Sequence, residues 1–311
     1  MKKPKNQTEL RLLFLCVLAA VGPALAGCQH LGAVGEAVGQ VGVATGTMSE
    51  DQAKSLARTT EAVAKTFADI TPEQEYYIGR AVTASILKTY KPYNNTEANR
   101  YLNLLGQTLA QASGKPETFG GYHFLLLDSD DINAFAAPGG FIVITRGMAQ
   151  LCKNEDELAA VLAHEIGHVE NSHGLKAIQR GRLTSALTIL ATESVKTFGG
   201  KELAELTQAF EGSINDITTT MMVNGYSRGQ EMEADQAALT TLKAVGYNRR
   251  GLANMLAEMK TRLKPGGLDF AKTHPDPNVR IKAISGELKE EPAISEPAAR
   301  GKRFGKAMGK I

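Results

Sequence analysis

Apolar runs bounded by turn residues predict a small β-sheet in the first half of the chain. The stretch "YHFLLLD", residues 122–128, is apolar between polar ends and predicts one buried strand. The stretch "NAFAAPGGFIVITRGM", residues 133–148, predicts a hairpin, with its turn at Pro138–Gly140 and its second strand at Phe141–Thr145. The sequence therefore predicts three strands that follow one another closely along the chain.

Helical patterns account for most of the remaining sequence up to about Leu263. Thr71 is a predicted N-cap, followed by a proline in the first turn and by Gln74 at the position that closes a capping box. Asn154 is a second predicted N-cap, with Glu157 at its capping-box position. A last helix is predicted after the loop "THPDP". We therefore expect an α+β fold, a mostly helical domain with a small β-sheet.

The first 27 residues have the pattern of a signal peptide. A basic start is followed by the apolar run "LLFLCVLAAVGPALAG", which is too short for a membrane-spanning helix. The run ends in "LAGC", which resembles the lipobox of bacterial lipoproteins, where Cys28 would become the acylated N-terminus. We expect such a protein to be anchored in the outer membrane, facing the periplasm. The alternative is ordinary cleavage near Ala26, which would leave Cys28 as a free thiol.

Composition divides the rest of the chain into three parts. Residues 28–70 begin with a Gly-, Ala- and Val-rich stretch that predicts a flexible tether, followed by a polar, helix-forming stretch. Residues 71–286 form the predicted folded domain. Residues 287–311 are rich in Pro, Ala, Gly and basic side chains, so we expect a disordered tail, with attraction to anionic lipid as a secondary interpretation.

Charge and cysteine content narrow the function classes. The chain has 35 basic and 33 acidic residues; residues 1–27 hold four and one of these, which leaves 31 basic and 32 acidic, a net −1. This balance does not indicate nucleic acid as a partner. Cys16 lies in the signal and Cys28 would carry lipid, so Cys152 has no intrachain disulfide partner, and its apolar neighbours predict a buried side chain.

The stretch "VLAHEIGHVENSH" carries the candidate chemistry. His164 and His168 are four residues apart on a predicted helix, so both imidazoles can face one metal ion. Glu165 is rotated about 100° from His164, close enough to reach a water on that metal without being a ligand. The alternative is a pair of helix histidines held by neighbouring carboxylates, with no metal.

A catalytic zinc site needs a third protein ligand. The three-histidine ligand set of metzincins is excluded, because its third histidine would stand six residues after His168, and that residue is Gly174. His173 lies one position too early and is expected at the surface or behind the ligands. The stretch "SRGQEMEADQAAL" offers Glu231 and Asp235, which share one face of a second helix. Glu231 can ligate, while Asp235 can accept a hydrogen bond from the ring N–H of a ligand histidine and so fix its tautomer. Glu233 points to another side.

Together, "LAHEIGH" and "EMEAD" resemble the gluzincin peptidases of the CAAX-prenyl-endopeptidase and HtpX type. The resemblance covers residues 71–286 and includes the hairpin stretch, "GYNRRGLANML" and "HPDPNVRI". Since a lipobox is present and a second long apolar run is not, the periplasmic lipoprotein branch with LoiP-like and BepA-like members is the most similar. The resemblance implies a fold with a substrate-binding edge strand, and one Zn²⁺ per chain.

The resemblance also implies roles for individual residues. His164, His168 and Glu231 would bind zinc, Glu165 would be the general base, and Asp235 would orient a ligand histidine. The following residues resemble the edge strand on which such peptidases bind extended substrates: Asn133, Ala134, Phe135 and Ala136.

Two further residues near the end of the domain have open roles. By resemblance, His274 would stabilise the oxyanion or occupy the open zinc position in a closed state; the alternative is a loop histidine that caps the last helix. Arg280 is expected to be a salt-bridge partner rather than an oxyanion donor.

The sequence thus predicts a zinc metalloendopeptidase on the periplasmic side of the outer membrane. Its expected substrates are misfolded or stalled envelope proteins, and its expected contacts are outer-membrane lipid through Cys28 and the outer-membrane assembly machinery. The alternative is an assembly chaperone with a zinc-stabilised fold and little or no turnover. Glu165 discriminates between the two, because a pure binding protein has no need for a general base.

Overall fold

The computed structural model describes residues 70–178, 211–262, 274, 276–289 and 296–311, with isolated positions between 40 and 54. These residues form a mostly helical structure with one small sheet, so the predicted α+β fold is confirmed. The signal segment, Cys28 and most of the tether lie outside the described residues. Within the described part, no helix is both long and apolar enough to cross a membrane.

The sheet has three strands, in the order β1-β3-β2. Its members are β1 (His123–Leu127), β2 (Ala134–Ala137) and β3 (Phe141–Thr145). β1 is parallel to β3 and β2 is antiparallel to it, so β2 is an edge strand. The predicted hairpin is confirmed. Its turn is a single 3₁₀ turn in which Gly139 has a φ of 74°, a conformation that favours glycine.

The helices in the order of the chain are α1 (Pro72–Thr89), α2 (Thr96–Gln111), α3 (Arg146–Leu151), α4 (Glu155–Glu170), α5 (His173–Lys176), α6 (Arg228–Val245), α7 (Arg250–Arg262), α8 (Pro277–Leu288) and α9 (Ala298–Met308). The predicted caps are present: Thr71 and Gln74 form a capping box on α1. At the start of α4 the Asn154 side chain accepts a hydrogen bond from the Glu157 amide, but the Glu157 carboxylate accepts from the Lys153 amide rather than from that of Asn154, so the predicted capping box is only half formed.

Helix α4 lies at the centre of the domain. All its residues from Glu155 to Val169 are buried, because the sheet and the helices α2, α6 and α7 pack around it. Continuous burial explains why α4 has apolar side chains almost all round rather than one apolar stripe. The polar groups that α4 does carry are therefore held in fixed positions by their neighbours.

The C-terminal tail is ordered, so the prediction of a disordered tail was wrong for the described residues 296–311. Helix α9 places Arg303 on the buried Glu155 carboxylate and Arg300 at 3.0 Å from Asp156 Oδ1, both at the first turn of α4. Ala307 and Met308 are buried against the main core. The basic residues that suggested disorder are thus the residues that dock the helix, and the folded domain extends past residue 286.

Candidate metal centre

Helices α4 and α6 bring three candidate ligands together. The Nε2 atoms of His164 and His168 are 3.1 Å apart. One oxygen of Glu231 lies 3.5 Å from His164 Nε2 and the other lies 3.4 Å from His168 Nε2. With His274, all four donor atoms lie within 4.8 Å of one another, and all four residues are buried.

These residues fit a divalent metal ion such as zinc. Four donors at about 2.0–2.2 Å from a tetrahedral ion are roughly 3.3–3.6 Å from one another, which is the spacing found between the imidazole and carboxylate donors here. Both Glu231 oxygens are buried and accept no hydrogen bond within the described part of the structure. Arg280 contacts Glu231 but is shared with Asp235, so a metal ion would balance the remaining buried negative charge.

Asp235 and Arg280 lie behind the first histidine. Asp235 Oδ1 is 2.9 Å from His164 Nδ1, the geometry expected of a carboxylate that orients a ligand imidazole. Arg280 binds both Asp235 oxygens, at 2.9 and 2.5 Å, and its Nη1 is 3.3 Å from Glu231. Burial opposes ionisation of Asp235, but Arg280 and His164 outweigh it and hold the pKa of Asp235 well below its usual range. The structure thus places Arg280 in the salt-bridge position.

Glu165 is fully buried beside the donors. Burial raises the pKa of Glu165 to about 7; the Glu231 charge acts in the same direction, while His164 and Arg280 act against it. Its Oε1 atom accepts no hydrogen bond within the described residues. A buried carboxyl next to the donor atoms is placed to accept a proton and to return it, as a general base requires.

Two further residues contact His168. The sequence left the position of His173 open and did not indicate Tyr226. His173 is buried, with its Nδ1 atom 2.8 Å from His168 Nδ1 and its Nε2 atom 2.9 Å from Glu233 Oε2. The Tyr226 ring stacks on the His168 ring at a centroid distance of 4.3 Å. The sequence did not identify Tyr226 as a site residue. The signal it offered was an aromatic residue directly before Ser227, the N-cap of α6.

His274 lies over the histidine pair. Its ring centroid is 5.6 Å from that of His164 and 5.8 Å from that of His168, and its Nε2 atom is 3.6 Å from Glu231 Oε1. Burial holds the pKa of His274 well below its usual range. Helix α8 is capped by Asp276, whose side chain accepts a hydrogen bond from the Asn278 amide, so His274 is not its N-cap.

The candidate substrate strand is β2, at the sheet edge. The strand begins at Ala134, and Asn133 precedes it with its side-chain oxygen bound to the Ala134 amide. All four strand side chains are buried. Phe135 and Ala137 belong to a cluster that includes Ile217 from the segment before α6. No pattern in the sequence predicts this contact.

The family model and the relatives that match this chain are peptidases, in agreement with the geometry of the site. A model of peptidase family M48 matches residues 96–288, more than half of the chain. The chain is 29% identical over 233 residues to "Beta-barrel assembly-enhancing protease" of Yersinia pestis, covering 71% of this chain and 45% of that protein. It is 25% identical over 252 residues to "Metalloprotease LoiP" of Escherichia coli strain K12, covering 80% and 86%.

A shorter match is 31% identity over 160 residues to "Mitochondrial metalloendopeptidase OMA1" of Schizosaccharomyces pombe, covering 51% of this chain and 44% of that protein. The chain therefore spans less than half the length of several relatives it matches, and most of the length of LoiP. The relatives' names support a metalloendopeptidase, and the resemblance inferred from the two motifs is confirmed. The chain belongs to peptidase family M48.

Proposed function

We propose that the protein is a zinc-dependent endopeptidase, with one Zn²⁺ held by His164, His168 and Glu231. The observation that carries this proposal is the convergence of three buried donors, with the buried Glu165 carboxyl beside them. When bound, zinc would polarise the scissile carbonyl and make a water molecule acidic near neutral pH.

Three side chains of the protein have separate roles in the proposed reaction. Glu165 takes the proton of the attacking water and returns it to the leaving nitrogen, a role that its buried position beside the donor atoms supports. Asp235 holds His164 in the tautomer that leaves Nε2 free to bind the ion. Arg280 compensates the buried charges of Asp235 and Glu231.

The proposed substrates are unfolded envelope proteins. Strand β2 at the sheet edge supports binding of an extended chain, because main-chain hydrogen bonding tolerates many sequences. The name of one relative, the "Beta-barrel assembly-enhancing protease" of Yersinia pestis, supports a link to outer-membrane protein assembly. We further propose attachment to the outer membrane through acylated Cys28, facing the periplasm.

Zinc content and cleavage of an unfolded protein such as casein test the proposal. We expect about one zinc per chain in the wild type, and loss of both zinc and cleavage in Glu231→Gln. Glu165→Gln should keep its zinc and lose at least about 100-fold in cleavage rate. Glu73→Gln, at an exposed position in the first turn of α1, is the control and should retain both properties. Zinc with no cleavage of any unfolded protein would favour the chaperone alternative.

A further inference from the structure

A chain of polar contacts leads from the protein surface to His168. Glu233 has 52% of its side chain exposed, and its Oε2 atom is 2.9 Å from Nε2 of the buried His173. The other ring nitrogen of His173 is 2.8 Å from His168 Nδ1. Lys176 approaches the same Glu233 oxygen at 4.0 Å. Nothing in the proposed catalytic roles uses Glu233 or His173.

When His168 binds a metal through Nε2, the protons on the ring nitrogens of His168 and His173 can be placed in only one consistent way. The His168 proton is then on Nδ1 and is donated to His173 Nδ1. His173 must accept at Nδ1, so its own proton is on Nε2 and is donated to the Glu233 carboxylate. Each N–H donor from His168 to Glu233 therefore faces one acceptor.

We propose that His173 and Glu233 are positioning residues of the metal centre, which fix the tautomer and the ring orientation of His168. They would do for the second histidine what Asp235 does for the first. This inference rests on the proposed zinc site. The two supports differ in environment: Asp235 is buried and bound by Arg280, whereas Glu233 is half-exposed to solvent.

The backbone is shaped to bring His173 to this place. Helix α4 ends at Glu170, and Ser172 then has φ 53° and ψ 35°, the one non-glycine residue with positive φ in the described part of the chain. This left-handed residue reverses the chain so that His173 begins α5 against the His168 ring. Residues in such conformations persist when the surrounding structure fixes them, and they are concentrated at functional sites.

The proposal is tested by zinc affinity, measured by competition with a coloured chelator on the full chain in detergent. His173→Asn and His173→Leu form a matched pair, because the two side chains have similar size and only Asn keeps an acceptor near the position of Nδ1. We expect His173→Leu to weaken zinc binding about 10- to 100-fold and His173→Asn to retain most of the affinity. Glu233→Gln, at an exposed position that does not endanger folding, should weaken binding by a smaller factor.

Each contrary result has a distinct meaning. Wild-type affinity in His173→Leu would overturn the positioning role, and so would equal losses in the Leu and Asn variants, since those would reflect packing alone. In both cases Glu231→Gln would still lose zinc, and the proposed enzyme would stand. If the wild type binds zinc no more tightly than Glu231→Gln, the metal centre itself is wrong, and the positioning role is rejected with it.

Discussion

Gly167 of helix α4 lies directly against the backbone of Ala234 in helix α6. A methyl group at Gly167 would come within 2.8 Å of the Ala234 carbonyl oxygen and 3.1 Å of its Cα atom. This contact lies next to His168 on one helix and next to Asp235 on the other. The close approach of the two backbones therefore sets the distance between the histidine pair and the acidic ligand.

Gly167→Ala should separate the two helices and weaken the site. The added methyl group meets backbone that cannot move aside, at a cost of about 1–3 kcal/mol, which exceeds the helix-propensity gain of roughly 1 kcal/mol. We expect a lower free energy of unfolding by chemical denaturation and weaker zinc binding in chelator competition. Gly286→Ala on α8 is the control, because a methyl group there meets nothing within 4 Å; it should leave both quantities unchanged or stabilise the fold. Equal behaviour of the two variants would contradict this account.

The C-terminal helix should contribute to stability through Arg303. Glu155 is fully buried, and besides two hydrogen bonds from Arg303 it accepts one each from the hydroxyls of Tyr101 and Tyr247. Arg303→Gln should lower the free energy of unfolding by about 1–3 kcal/mol, because the buried carboxylate loses its cationic partner. Lys306→Gln, which removes an exposed pair with Glu97, should change little. A similar small effect in both variants would mean that α9 is not held by the Glu155 pair.

The same pair predicts a pH dependence of stability. Burial alone would raise the pKa of Glu155, but hydrogen bonds from Arg303 and the two tyrosines lower it below its ordinary value. Stabilisation by a carboxyl whose folded pKa is depressed is complete above the unfolded pKa of about 4.3 and is lost as the pH falls further. The difference in unfolding free energy between wild type and Arg303→Gln should therefore be largest near pH 7 and shrink below about pH 4. Measurements on metal-free protein separate this effect from loss of zinc, and a difference that grows on acidification would reverse the sign and refute it.

The parts of the structure that the sequence predicted depend on local signals. The caps at Thr71 and Asn154 act within four residues, and the motif histidines are one helical turn apart, so spacing alone places them. Helix α9 could not be predicted in the same way, because Arg303 is docked by Glu155, about 150 residues away in the chain. The position of His173 depends on the left-handed backbone at Ser172, which no periodicity reveals.

Thiol counting should decide between the two interpretations of Cys28. Burial raises the pKa of the Cys152 thiol well above its usual value, so that thiol should not react with a thiol reagent in the native protein. After processing in a bacterial host, the denatured protein should show one reactive thiol if Cys28 is acylated and two if cleavage occurs near Ala26. We expect one. A Cys152→Ala variant should then show none, and any remaining thiol would argue against acylation.

His274→Ala should increase peptidase activity. The His274 donor atom lies within 4.8 Å of the donor atoms of His164, His168 and Glu231, in the position of a fourth ligand. Hydrolysis by zinc requires that position for water or substrate, so removing the imidazole should raise casein cleavage several-fold while zinc content stays near one per chain. His123→Ala, on the exposed end of β1, is the control. A fall in kcat with KM unchanged would instead assign oxyanion stabilisation to His274, because that interaction forms only in the transition state.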